Sequence, residues 1–257
     1  MNLKKSYTIS KFTFIEIYKS KIMINILISG FVLALLCYIV SEFSFGNPSK
    51  IALDVGLGFL SLTTKAIAVF FGATLLKNEL ESRTIYLILS NPVSRIEFLT
   101  GKVLGLSGIL LLNTVLLSIF TTAFYYYWDG LWSSLIAWSI IQIFLESVLI
   151  LLIVIFFSLI TNVNLAIIFS ISVYISGYAI RGVLELYSIK SSIFLTKVVT
   201  YISYIIPNFS LFDIKNFVLY KQELENAYLF GTLGYSLTFS IIFLFASSLV
   251  LSQKDLN

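Results

Sequence analysis

Two ionisable residues stand where charge is costly: Lys65 lies within the apolar run 57–76 and Glu146 within the run 135–160. An uncompensated charge at the centre of a membrane helix costs about 2.5 to 3.5 kcal/mol on insertion scales, so each needs a counter-charge, water or a polar cavity. An ammonium and a carboxylate can pair with each other or line a polar route along the spans. Alternatively, Lys65 snorkels toward the end of its span and Glu146 is protonated or satisfied locally. The sequence leaves both arrangements open. Other chemistry is scarce. Histidine is absent, which removes the commonest general base and the commonest metal ligand. The one cysteine, Cys37, sits inside the first apolar run, so it forms no disulfide within the chain and reads as a core thiol. There is no G-x-x-x-x-G-K-[ST] phosphate loop, no H-E-x-x-H, no acidic cluster and no G-x-S-x-G. We therefore expect no catalytic residues, no metal site and no cofactor bound by this chain.

The elements that must hold Lys65 and Glu146 follow from composition. Of 257 residues, 58% are hydrophobic and 12% charged, about half the charge of a soluble domain. The charges cluster between apolar runs at 22–40, 57–76, 103–127, 135–160, 165–180 and 229–251. Runs near 20 residues match the roughly 30 Å of hydrocarbon that a helix rising 1.5 Å per residue must cross. The expected fold is an all-α polytopic membrane protein with six transmembrane helices, a single domain over 1–257. The first run exceeds a usual signal-peptide core, and Ser41-Glu42-Phe43-Ser44 offers no small-residue cleavage site, so it reads as a retained span. Residues 161–164 make a tight hairpin of the fourth and fifth runs.

Six spans place both termini on one side. With the N-terminus inside, the cytoplasmic segments carry ten Lys and Arg, including Lys4, Lys5, Lys11, Lys19 and Lys21, against six on the other side, most of them in the long loop 181–228. This predicts cytoplasmic N- and C-termini in the inner membrane. The net charge of +4 is thus a membrane-anchoring bias, and no basic, aromatic nucleic-acid platform accompanies it. Tyr125, Tyr126, Tyr127, Trp128 and Trp132 form an expected aromatic belt at the outer interface. Residues 8–21 place Phe12, Ile15, Tyr18 and Ile22 on one face among lysines, which predicts an interfacial helix over 1–21. In the outer loop, Val198, Val199, Ile202, Ile205 and Ile206 suggest an apolar helix that stops at Pro207.

The most ordered polar stretch is 77–102. Leu80, Thr84, Leu87 and Ile88 repeat at i, i+4, i+7 and i+8, Asn91-Pro92 breaks the helix, and Ser94 with Glu97 forms a capping box that starts a second one. Three acids among four bases suit a protein partner better than an anionic lipid surface. Gly101-x-x-x-Gly105, with Gly108, is a small-residue face suited equally to subunit contact or to packing within the chain.

Glu79-x-Glu81-x-Arg83-Thr84-Ile85, Leu89-Ser90-x-Pro92-Val93-Ser94-Arg95 and Phe98-x-x-Gly101-Lys102 together resemble the cytoplasmic signature of ABC-2 type permeases, particularly the branch that includes the permease of the nitrous-oxide-reductase maturation system. Pro207-Asn208-Phe209 with Phe212-Asp213, the stretch from Tyr235 through Ala246 to Lys254-Asp255-Leu256, and Phe14-x-Glu16 extend the likeness over most of the chain. The resemblance implies a coupling helix between spans two and three that docks on a separate ATPase subunit. Its expected contact residues are Glu79, Glu81, Arg83, Thr84, Leu89, Ser90, Pro92, Ser94, Arg95, Gly101 and Lys102. It further implies two ATPase copies, which carry the ATP and Mg, a second permease subunit (a homodimer or a heterodimer), and in that branch a periplasmic partner. The substrate is left open. The competing reading, an ion-gradient-driven secondary transporter, rests on Lys65 and Glu146 alone. Such carriers show repeated halves with broken helices, which are not evident here. An intramembrane enzyme lacks the residues to carry it.

Overall fold

A computed structural model describes residues 3–19, 22–43, 46–81, 94–185 and 193–253. The helices are α1 (Leu3–Lys19), α2 (Ile22–Glu42), α3 (Pro48–Glu81), α4 (Arg95–Tyr127), α5 (Ser134–Ile160), α6 (Val163–Glu185), α7 (Ile193–Ile205), α8 (Lys215–Leu219) and α9 (Asn226–Gln253), with a 3₁₀ turn at Phe209–Leu211. Six of them contain stretches long and apolar enough to cross a membrane: Ile24–Glu42, Pro48–Leu75, Arg95–Tyr127, Ser134–Ile160, Val163–Ile180 and Asn226–Gln253. We call the end of the bundle bearing both chain ends the terminal end, and the other the loop end.

Several helices start before their apolar runs do. α3 begins at Pro48 rather than near residue 57, and α4 at Arg95 rather than near 103. Apolarity marks the part of a helix that lipid or core must cover, whereas the helix itself runs on until its backbone is capped. Pro48 has no N–H to leave unsatisfied and a φ already suited to a first turn. Ser94 supplies the predicted capping box: its Oγ accepts the Glu97 N–H at 3.3 Å, and its own N–H donates to Glu97 Oε2 at 3.0 Å. The hairpin between α5 and α6 is tighter than expected. Only Thr161 and Asn162 are non-helical, with Thr161 N–H on Phe157 O and Asn162 O accepting from Ala166.

α5 occupies the middle, packed on α3, α9, α6 and α4. Its residues from Leu149 to Ile155 are buried without a break, as befits a helix that is apolar all round and has neighbours all round. α2 is peripheral, with Leu27, Ile28, Phe31 and Leu35 exposed on its outer face. At the loop end Tyr126 stacks on Trp132, while Tyr125 turns inward, is buried, and donates to Leu131 O. The belt therefore keeps Tyr126, Tyr127 and Trp132 outside and gives Tyr125 to the core.

The glycine face of α4 serves packing within the chain. A Cβ on Gly101 would stand 2.7 Å from Ile9 Cβ and 2.9 Å from Ser6 O; one on Gly105, 2.7 Å from Thr13 Cβ and 2.9 Å from Ser10 O. Small residues on both helices let the backbones of α1 and α4 close on each other. The packed face of α1 is consequently Ser6, Thr13 and Ile17, with Ser6 Oγ 3.2 Å from Thr100 Oγ1, whereas Phe12 and Tyr18 point outward.

Arg95 joins the start of α4 to the end of α9: its Nη1 donates to Leu251 O at 2.5 Å and Ser252 O at 2.7 Å. Those carbonyls belong to the last turn, which has no helical donors left and carries the negative end of the macrodipole. Arg95→Ala is expected to cost about 1 to 2 kcal/mol, because water replaces only part of a charged hydrogen bond. Thermal unfolding of the purified protein measures it, and an unshifted transition would show that the strap adds nothing.

Candidate functional site

Lys65 sits midway along α3, about 25 Å from Pro48 at 1.5 Å per residue. Its Nζ lies 2.9 Å from Glu146 Oε2 on α5 and donates to Tyr174 Oη on α6 at 2.9 Å. The same ammonium stands 4.8 Å from the centroid of the Tyr174 ring. Glu146 is buried, and Lys65 turns its charge toward it instead of snorkelling. One residue from each of three helices thus meets within stretches long and apolar enough to cross a membrane. Three further polar contacts bind the helices elsewhere in the bundle. Asn113 Nδ2 donates to Thr64 Oγ1 at 2.9 Å between α4 and α3, Gln142 donates to Thr232 between α5 and α9, and Lys102 Nζ approaches Glu16 at 3.9 Å between α4 and α1.

Toward the loop end the polar groups continue. Tyr178, one turn along α6 from Tyr174, donates its hydroxyl to Asp213 Oδ2 at 2.5 Å. Asp213 Oδ1 accepts the Lys215 N–H at 3.3 Å, a short-range turn that opens α8. Lys215 Nζ then reaches Asp54 Oδ1 on α3 at 2.6 Å. Asp213 and Lys215 are brought inward by the segment after Pro207, part of what the sequence suggests is an outer loop. α7 does stop at Ile205, two residues before the proline. Beyond it, however, the chain folds into the bundle, where Phe209, Phe212 and Ile214 are buried. Asn208 holds the corner, its N–H donating to Tyr235 Oη at 2.7 Å and its Oδ1 accepting from Ser210 N and Oγ. Gly177 makes room for it, since a side chain there would strike the Pro207 carbonyl and the Phe209 ring.

Between α3, α5, α6 and this segment lies a cavity of about 430 Å³, within the range of small-molecule sites. Lys65, Glu146, Tyr174, Tyr178, Asp213 and Lys215 supply its polar wall, and Leu57, Ile143, Ile175 and Phe212 are among its apolar residues. Among the described residues no group of three or more His, Cys, Asp or Glu is placed to hold a metal ion.

The other residues singled out in the sequence fall elsewhere. Glu79 and Glu81 lie at the terminal end of α3 with side chains outside the described residues; Arg83, Thr84, Leu89, Ser90 and Pro92 lie outside them altogether. Ser94 caps α4, Arg95 straps α9, and Gly101 and Lys102 are buried in the seam with α1. The last three thus take part in packing within the chain. Sequence reasoning missed Asp54, Tyr174, Tyr178, Asp213 and Lys215. The tyrosines were findable, being an i, i+4 pair on one face of the shortest span. The others depend on the inward fold after Pro207, which no local pattern announces.

The sequence model of ABC-2 family transporter proteins matches residues 10–255. No curated protein matches the chain.

Proposed function

Because the chain belongs to the ABC-2 family of transporter proteins, we propose that it is the membrane-spanning permease subunit of an ATP-driven transporter, with ATP hydrolysed on a separate ATPase chain. The terminal end faces the cytoplasm, as the excess of Lys and Arg there favours, and α1 lies in that interface with Phe12 and Tyr18 toward lipid. The agreement of residue types over 79–102 supports the branch that includes the permease of the nitrous-oxide-reductase maturation system.

The observation that carries the reading is the continuity of α3. This one helix of 34 residues runs from the coupling segment at its terminal end to the Lys65–Glu146 pair, a distance of about 24 Å. A partner that moves residues 82–93 tilts α3 as a rod and shifts Lys65 against Glu146 and Tyr174. α4, on the other side of the segment, is anchored to α1 by its glycines and to α9 by Arg95, so the displacement falls on α3. Glu79, Glu81, Arg83, Thr84, Leu89, Ser90 and Pro92 are the contact residues, in a homodimer of permeases with two ATPases. The gradient-driven carrier is disfavoured by the family match.

The test is co-purification with a candidate ABC ATPase subunit co-expressed with this chain. Wild type is expected to retain the ATPase, and Glu79→Lys with Glu81→Lys to release most of it, about a tenfold loss of retained activity, while the permease still elutes as a folded species. Mixed charge at such a contact sets partner choice, and reversing it places like charges together. No retention by wild type, or full retention by the double reversal, overturns the proposal.

A further inference from the structure

The cavity beside Lys65 has a charge pattern that narrows what it can hold. Lys65 is matched by Glu146, and Lys215 by Asp54. Asp213, at the mouth, accepts hydrogen bonds from the Tyr178 hydroxyl and the Lys215 N–H but pairs with no Lys or Arg among the described residues. Among the described residues one negative charge is therefore left over. The rings beside it already hold a cation: the Lys65 ammonium lies against Tyr174, and the Tyr174 and Tyr178 rings are 6.4 Å apart. Aromatic faces next to a carboxylate, with apolar walls behind, favour a cation with an apolar body over an anion or a neutral sugar. The way in points the same way. Ile175 lines the cavity and is 59% exposed on the outer face of α6, and Tyr178 beside it is also exposed. The mouth thus opens on the exposed outer side of α6, a helix apolar enough to cross a membrane, and an amphiphile concentrates at such a surface where a strongly hydrated solute does not.

We propose that this cavity binds an amphiphilic organic cation, its charge beside the Asp213 carboxylate and against the Tyr178 ring, and its apolar part against Leu57, Ile143, Ile175 and Phe212. That the cation is transported rests on the permease reading; that it binds does not. A chain that binds the cation but retains no ATPase keeps this site and loses that reading, and the converse result does the reverse.

The probes are tetraphenylphosphonium and tetraphenylborate, which share a shape and differ in sign, measured by equilibrium dialysis against the purified full chain with empty micelles opposite. Saturable binding of the phosphonium is expected, with the borate at least tenfold weaker. Asp213→Asn, which keeps an acceptor for Tyr178, is expected to weaken the phosphonium about tenfold and leave the thermal transition in place. Ala179→Trp, which fills the cavity from its wall, is expected to abolish binding; should it fail to fold, Asp213→Asn decides. Asp129→Asn, outside this cavity, is expected to change nothing. Equal binding of the two ions, non-saturable uptake, or unchanged affinity in Asp213→Asn overturns the proposal.

Discussion

Glu146→Ala is expected to destabilise the folded protein by about 3 kcal/mol or more, the lower end of what breaking a buried ion pair costs. The loss exceeds that of the attraction itself, because the Lys65 ammonium is left inside the bundle with only the Tyr174 hydroxyl as partner among the described residues. Lys65→Met strands the opposite charge and is expected to be comparably harmful. The double variant Lys65→Met/Glu146→Leu removes both charges from an apolar setting and is expected to recover most of the loss, since apolar residues of similar volume often replace a buried pair at little cost. A coupling energy of about 2 kcal/mol or more in a double-mutant cycle, read by unfolding of purified protein, is the quantitative expectation. Strictly additive losses would mean that the two residues do not depend on each other. In the proposed mechanism the recovered double variant folds and recruits the ATPase but transports poorly, because α3 then slides past α5 without exchanging partners.

The second large effect is steric. Gly177→Ala places a methyl group on the Pro207 carbonyl and 2.8 Å from Phe209 Cδ2. A backbone carbonyl cannot rotate aside as a side chain can, so the whole segment after Pro207 must withdraw from α6. Overpacking of this kind costs about 1 to 3 kcal/mol, and we expect the upper end because Phe209 and Phe212 are both core residues. The displacement also carries Asp213 away from Tyr178. Gly182→Ala in the same helix is the control: a Cβ there meets nothing within 4 Å, so the change is expected to be neutral or to stabilise by up to about 1 kcal/mol through helix propensity. Equal behaviour of the two variants in thermal unfolding would sink the close contact on which the inward segment depends.

What the sequence disclosed and what it withheld divide along the range of the interactions. Six helices, the break after α7 and the Ser94–Glu97 cap were legible, because apolar runs, a proline and a capping box act within a few residues. That Lys65 and Glu146 needed relief was legible from cost alone; that each relieves the other depended on α3 lying beside α5, which hydropathy does not specify. The glycines of α4 were visible as a seam, yet not their partner, because α1 presents serines and a threonine to them and turns Phe12 and Tyr18 away. Amphipathicity there marked the face left exposed, while the face bound for protein was the small one. Arg95 shows the opposite hazard: within a charged, surface-like motif, it proved to cap the far end of the chain.

The pairing of Lys65 with Glu146 also bears on how the chain is made. α3 leaves the ribosome roughly 80 residues before α5, and at about 5 to 20 residues per second that is an interval of about 4 to 16 s. Throughout it, the second span holds a cation whose counter-charge has not yet been synthesised. Its apolar remainder must carry the insertion penalty of about 2.5 to 3.5 kcal/mol without help, or the span must wait at the edge of the insertion channel until α5 arrives. On the second course membrane integration of this protein is ordered in time, with the fourth span completing what the second begins.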